Sequence, residues 1–199
     1  MPYRLWRGPE YDPQGPPCVY LTFDDGPIPE VTPWVLDQLD AYGAKGTFFC
    51  IGENAQRYPE ILELIRKRGH QVGNHTQSHC RGTETTTQNY LKQVREFEQT
   101  TGLKTRLFRP PYGRMTQAQA QALRKQGYKI IMWDLLSYDW QKELPAQPIY
   151  TKLKKHLQPG SILVFHDSLK AEKNLRTVLP KILEHLSTQG MVMAALGQD

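Results

Sequence analysis

The chain holds 199 residues, 39% apolar and 23% charged, enough for one sizeable core and outside the compositions of disordered or collagen-like polypeptides. Its net charge of +5 comes from 25 basic residues scattered among 20 acidic ones, a mixture that argues against a nucleic-acid partner. No apolar run reaches the length of a transmembrane helix, so no membrane span is expected.

Residues 1–17 read as an N-terminal extension ahead of one domain over 18–197. Residues 1–6 lack the hydrophobic stretch of a signal peptide, so a cytoplasmic location is expected for the chain as written, and a cell-envelope role if a leader has been removed. From residue 18 onward, short runs rich in β-branched and aromatic residues alternate with segments of helical period, the pattern of repeated βα units.

The first strand, 18–23, ends in Asp24-Asp25-Gly26-Pro27. Neighbouring side chains on extended backbone point apart, so one carboxylate can bind a cation while the other handles a proton; an exposed Asp-Gly-Pro turn is the bland alternative. A helix over 31–42, a strand over 46–51 and a helix over 59–68 follow. The third strand, 71–74, runs into His75-Thr76-Gln77-Ser78-His79. One helical turn would set these imidazoles side by side, and two imidazoles with one carboxylate leave coordination positions open for water and substrate. Cys80, beside His79, is a minor further ligand candidate. With three cysteines and no CxxC pair, reduced thiols are expected, and Cys18 and Cys50 sit in strand-like runs.

A helix over 86–101 leads to strand 106–109, whose closing Arg109 precedes Pro110-Pro111-Tyr112-Gly113, a loop stiffened by two prolines. Helix 116–126 and strand 129–133 lead to a stretch with two carboxylates, Asp134 and Asp139, the second followed by Trp140. Helix 148–157 precedes strand 161–165 and the segment Val164-Phe165-His166-Asp167; helix 172–189 and strand 191–194 complete a series of seven strands with helices between them. Each polar motif alone fits a turn or a structural histidine. Five strand ends that each supply a chemically useful group point instead to one active site at the carboxyl edge of a parallel sheet, the edge that both a closed barrel and a doubly wound sheet use. Periodicity does not choose between those two architectures.

Taken in order, Thr22-Phe23-Asp24-Asp25-Gly26, His75-Thr76-Gln77-Ser78-His79, Arg109-Pro110-Pro111-Tyr112 and Val164-Phe165-His166-Asp167 resemble the motifs of the NodB-type polysaccharide deacetylases, carbohydrate esterase family 4, over residues 18–196. The resemblance implies a single-domain α/β fold, a distorted (β/α) barrel with about seven parallel strands. It implies a divalent metal, zinc first, with cobalt, nickel or iron as alternatives. It also implies removal of N-acetyl groups from N-acetylglucosamine glycans such as peptidoglycan or chitooligosaccharides, the alternative being another acetylated carbohydrate or a non-sugar amide. A monomer is favoured.

By the same resemblance Asp25, His75 and His79 are metal ligands, Asp24 is the general base and Arg109 orients it. His166 is the general acid, steadied by Asp139, with Asp134 the competing carboxylate. The Tyr112 backbone N–H helps hold the oxyanion, and Trp140 and Val164 line the acetyl pocket. Leucine is common in the family where Val164 stands; one methylene less is worth about 1 kcal/mol and implies a roomier pocket with the same chemistry. Two other classes share part of this pattern. A non-haem iron oxygenase uses two histidines and a carboxylate but leaves Asp24 and His166 without a task. A carbohydrate-binding module stacking sugars on Trp140 and Tyr112 has no use for an acid and a base.

Overall fold

The computed structural model describes residues 4–11 and 15–197; residues 1–3 and 12–14 of the expected extension lie outside the described residues. Within that extension, β1 (Arg4–Leu5) already joins the sheet. The central strand is β2 (Cys18–Asp24), buried along its whole length. The chain then runs through α1 (Thr32–Ala41), β3 (Thr47–Cys50), α2 (Gly52–Arg57), α3 (Pro59–Lys67), β4 (Gln71–Asn74), α4 (Thr87–Thr101) and β5 (Leu107–Phe108). It finishes with α5 (Gln117–Lys125), β6 (Lys129–Ile131), β7 (Leu135–Leu136), α6 (Ala146–His156), β8 (Ile162–His166), α7 (Glu172–Thr188) and β9 (Val192–Met193).

All these strands pair in parallel, in the order β1-β6-β5-β4-β3-β2-β8-β7, with β9 joining the start of β2. Among the described residues β7 and β1 do not pair, so the sheet curls into a barrel without closing. Two short strands, β1 and β7, add to the seven expected from sequence. Each spans two residues, too few to show a period of two.

Side chains alternate along the strands between two apolar layers. Val19, Leu21 and Phe23 of β2 join Leu163 and Phe165 of β8 in a core with α1, α3 and α7. The intervening Cys18 and Tyr20 meet Phe49, Leu107, Ile131 and Ile162 inside the barrel. Both faces are apolar, which is why these strands read as continuous hydrophobic runs. A third cluster, built on Tyr90, Val94, Phe108, Leu123 and Ile130, seals α4 and α5 onto the remaining strands.

Local signals set the helix ends. Thr86 accepts the Asn89 N–H and Gly102 closes α4 at φ 69, the left-handed C-cap that glycine adopts without strain. Thr116 and Gln119 form a capping box on α5, and the Gln119 amide also donates to the Gly82 and Thr85 carbonyls, anchoring the loop that follows His79. Cys18 and Cys50 are buried, and neither is in a disulfide among the described residues. Among the described residues no helix is long and apolar enough to cross a membrane.

Candidate active site

Polar residues interrupt the strands where each reaches the carboxyl edge of the sheet. Asp25 follows β2, and its carboxylate Oδ1 lies 3.8 Å from His75 Nε2 and 3.3 Å from His79 Nε2. One ligand atom from each of these three residues falls within 4.8 Å of the others. The histidines do not share a helical turn as their spacing suggested: residues 75–79 form a loop, with Thr76 at φ 67 and His79 at φ 55.

That loop is tied by the start of α2, whose Gly52 and Glu53 N–H groups donate to the Thr76 and Gln77 carbonyls at 3.0 and 2.9 Å. Those N–H groups open a helix and have no partner within it. A Cβ at Gly52 would overlap the end of the Gln77 side chain and press on its Cα, so glycine allows this close approach without displacing Gln77.

Chemistry suits a divalent cation here. His75 is 2% exposed and its Nδ1 is 2.8 Å from the Arg109 carbonyl, which makes Nδ1 the protonated nitrogen and leaves the Nε2 lone pair toward Asp25. Burial pushes the His75 pKa down to about 4, against opposing pulls from Asp24 and Asp25, so the ring is neutral and ready to ligate at neutral pH. Cys80 stands outside the trio, packed against the Tyr90–Phe108 cluster.

Asp24 points into the barrel, 4% exposed. Arg109, fully buried, sends Nη1 to Asp24 Oδ1 and to Thr22 Oγ1, both at 2.7 Å, while Nε and Nη2 donate to the Ile131 and Met132 carbonyls. Its guanidinium lies 4.1 Å over the Phe49 ring. Burial by itself would raise the Asp24 pKa; the Arg109 charge, helped by His75 and His166, outweighs it and holds the carboxyl below its ordinary value. Asp24 is therefore ionised at neutral pH.

Across the ladder, Asp24 is the register partner of His166 at the end of β8. His166 Nδ1 and its backbone N–H both engage Asp139, at 2.8 Å each. Burial disfavours the charged imidazole, but the hydrogen bond and charge of Asp139, with smaller help from Asp25 and Asp24, push the pKa up to about 9. Asp134, the competing carboxylate, instead accepts from Ser161 Oγ and the Ile162 N–H at the other end of β8.

A cavity of about 500 Å³ lies between these groups, lined by Asp24, Asp25, both metal-site histidines and His166, together with Tyr112, Trp133, Leu136, Trp140 and Val164. Trp140 stands edge-on to His166, ring centroids 4.8 Å apart. Tyr112, at φ 58 and 54% exposed, packs against His79 on one side and under the Arg81 guanidinium on the other. A larger cavity of about 590 Å³ opens at the amino edge, among Arg66, His70, Lys104 and Arg106, with no carboxylate in its lining.

Asp24, Asp25, His75, His79, Arg109, Tyr112, Asp139, Trp140, Val164 and His166 thus gather around one edge of the sheet, while the candidates Cys80 and Asp134 lie apart from them. Sequence reasoning missed Thr22, Trp133, Leu136, Ser168 and Lys170 around the pocket. Trp133, closing a recognised strand, and Thr22, opening the first motif, carried a signal.

The family model for polysaccharide deacetylase matches residues 11–131. A peptidoglycan-N-acetylglucosamine deacetylase of Bacillus cereus is 34% identical across 86% of this chain, which spans 64% of that relative's length. A chitooligosaccharide deacetylase of Sinorhizobium fredii is 28% identical across 93% of each chain. Among solved structures, the Bc1960 peptidoglycan N-acetylglucosamine deacetylase superposes with a TM-score of 0.89 at 32% identity, over 98% of this chain and 91% of that one. Sheet order, strand-end chemistry and these matches converge on one assignment: the chain belongs to the polysaccharide deacetylase family, the NodB-type carbohydrate esterases of family 4.

Proposed function

We propose that the chain removes acetyl groups from N-acetylglucosamine-containing glycans, with peptidoglycan its main substrate class. One observation carries the reading: Asp24 and His166, side by side on β2 and β8 beside the Asp25-His75-His79 cluster, are held in opposite protonation states at neutral pH. A binding module has no need of that arrangement, and an oxygenase leaves it idle. The relatives named as peptidoglycan and chitooligosaccharide deacetylases support the glycan.

Amide hydrolysis needs a stronger nucleophile, stabilisation of the developing oxyanion and a proton for the departing nitrogen. A divalent cation, zinc by the donor set, held by Asp25, His75 and His79 would supply Lewis acidity toward water and the acetyl carbonyl. Asp24, kept ionised by Arg109, takes the proton of the attacking water. The Tyr112 backbone N–H donates to the oxyanion. His166, kept protonated by Asp139, gives its proton to the amine nitrogen as the C–N bond breaks. Val164, Leu136 and Trp140 exclude water around the acetyl methyl.

The test is acetate release from peptidoglycan, chitooligosaccharides and O-acetylated xylan, with and without added zinc or cobalt. Release from the first two that depends on added metal after chelation is expected. Acetate from none of them, or metal-independent release, would refute the reading.

A further inference from the structure

Asp25 sits at φ 84, a left-handed conformation that strains a non-glycine residue and persists where neighbours enforce it. Two hydrogen bonds from one residue bracket it. The Asp167 backbone N–H donates to the carbonyl of Asp24 at 3.1 Å, and the Asp167 carboxylate Oδ1 accepts the N–H of Gly26 at 3.0 Å. The carboxylate is itself fixed, because Thr32 Oγ1 donates to Oδ2 at 2.6 Å while accepting the Ile28 N–H at 2.9 Å. Asp167 and Thr32 are 1% and 0% exposed. The fit admits no extra atom: a Cβ on Gly26 would overlap the Asp167 carboxylate.

Asp167 adjoins His166 in sequence but does not line the catalytic cavity, so neither substrate nor reacting atoms touch it. We propose that Asp167, buttressed by Thr32, is a positioning residue: it clamps the turn on both sides of Asp25 and so sets that carboxylate toward the two imidazoles. This inference rests on the reading of Asp25, His75 and His79 as ligands. It assigns to one buried side chain the link between the metal turn after β2 and the acid-bearing end of β8. Loss of such an outer partner typically weakens metal affinity about 10- to 100-fold.

Zinc affinity of the full chain, measured by competition with a chromophoric chelator, tests the clamp. D167A should weaken zinc at least about tenfold, and its loss of acetate release should shrink as zinc is raised. D167N should stay within about threefold of wild type, because its amide oxygen still accepts the Gly26 N–H and its NH2 donates to Thr32. T32V, which frees one carboxylate oxygen, should fall between the two.

A zinc affinity for D167A within about threefold of wild type, or equal losses in D167A and D167N, overturns the proposal. Should D167A fail to fold, T32V with wild-type affinity overturns it. H75A is the control for the underlying site: if it binds zinc as wild type does, the ligand assignment falls and the clamp with it.

Discussion

Replacing Asp139 by asparagine removes the negative charge that keeps His166 protonated while preserving the shape of the side chain. In the native arrangement the His166 pKa stands at about 9 against an ordinary 6.5, with burial pulling downward and Asp139 more than compensating. Without that charge, burial, the largest single influence, is opposed only by the smaller pulls of Asp25 and Asp24, so the pKa should drop to 6.5 or lower. The asparagine oxygen can still accept the His166 backbone N–H, but its NH2 must then donate to Nδ1, which favours the neutral ring. At pH 7.5 the protonated fraction would fall from about 97% to below about 9%, at least a tenfold loss of competent acid.

The assay is kcat/KM for acetate release across pH 5–10 at saturating zinc, for wild type and D139N. A cation beside Asp25 repels the imidazolium in both proteins, so the separation between their alkaline limbs is the quantity to read. We expect the limb to move toward acid by at least about 2 pH units and the rate at pH 7.5 to fall about tenfold or more. The coupling also acts on stability. Its contribution is fully present below the unfolded pKa near 6.5 and is lost as pH rises through the raised value. D139N should therefore flatten the decline in urea-unfolding free energy of the metal-free protein over that window. An unshifted alkaline limb, or a rate at pH 7.5 within about twofold of wild type, would refute the role given to Asp139.

R109M should leave the Asp24 carboxylate buried without its partner, and loss of one member of a buried pair costs about 3–5 kcal/mol; a urea-unfolding free energy within about 1 kcal/mol of wild type would refute that account. D24N should keep its zinc yet lose about 10²- to 10⁴-fold in kcat, the usual weight of a general base; elemental analysis alongside the acetate assay separates the two, and near-full turnover would show that another group takes the proton.

The chemistry was legible because it breaks a rule visible in one dimension. Asp24, Asp25, His75, Arg109 and His166 are polar residues at the ends of apolar strands, and the parallel sheet carries those ends to one edge. What stayed hidden depends on distance in sequence. On paper Asp139 differs from Asp134 only in the Trp140 that follows it; the fold gives Asp139 to His166 and Asp134 to Ser161. Thr22 reads as one more strand residue until Arg109 reaches it across 87 positions. The helix α2 is short and polar, with no apolar period to announce it, yet its first N–H groups hold the histidine loop in a path that helical spacing did not foretell.

Because Asp24 and His166 are register partners on two hydrogen-bonded strands, the gap between the proposed proton acceptor and proton donor is tied to the pitch of a β-sheet, about 4.8 Å from backbone to backbone. Surface loops can lengthen, shorten or change composition around this pair without altering its span. Diversification of the rim should thus retune which polymer is held and how tightly, while the proton-handling step keeps its dimensions. Such a division lets a lineage explore new sugars without rebuilding its catalyst.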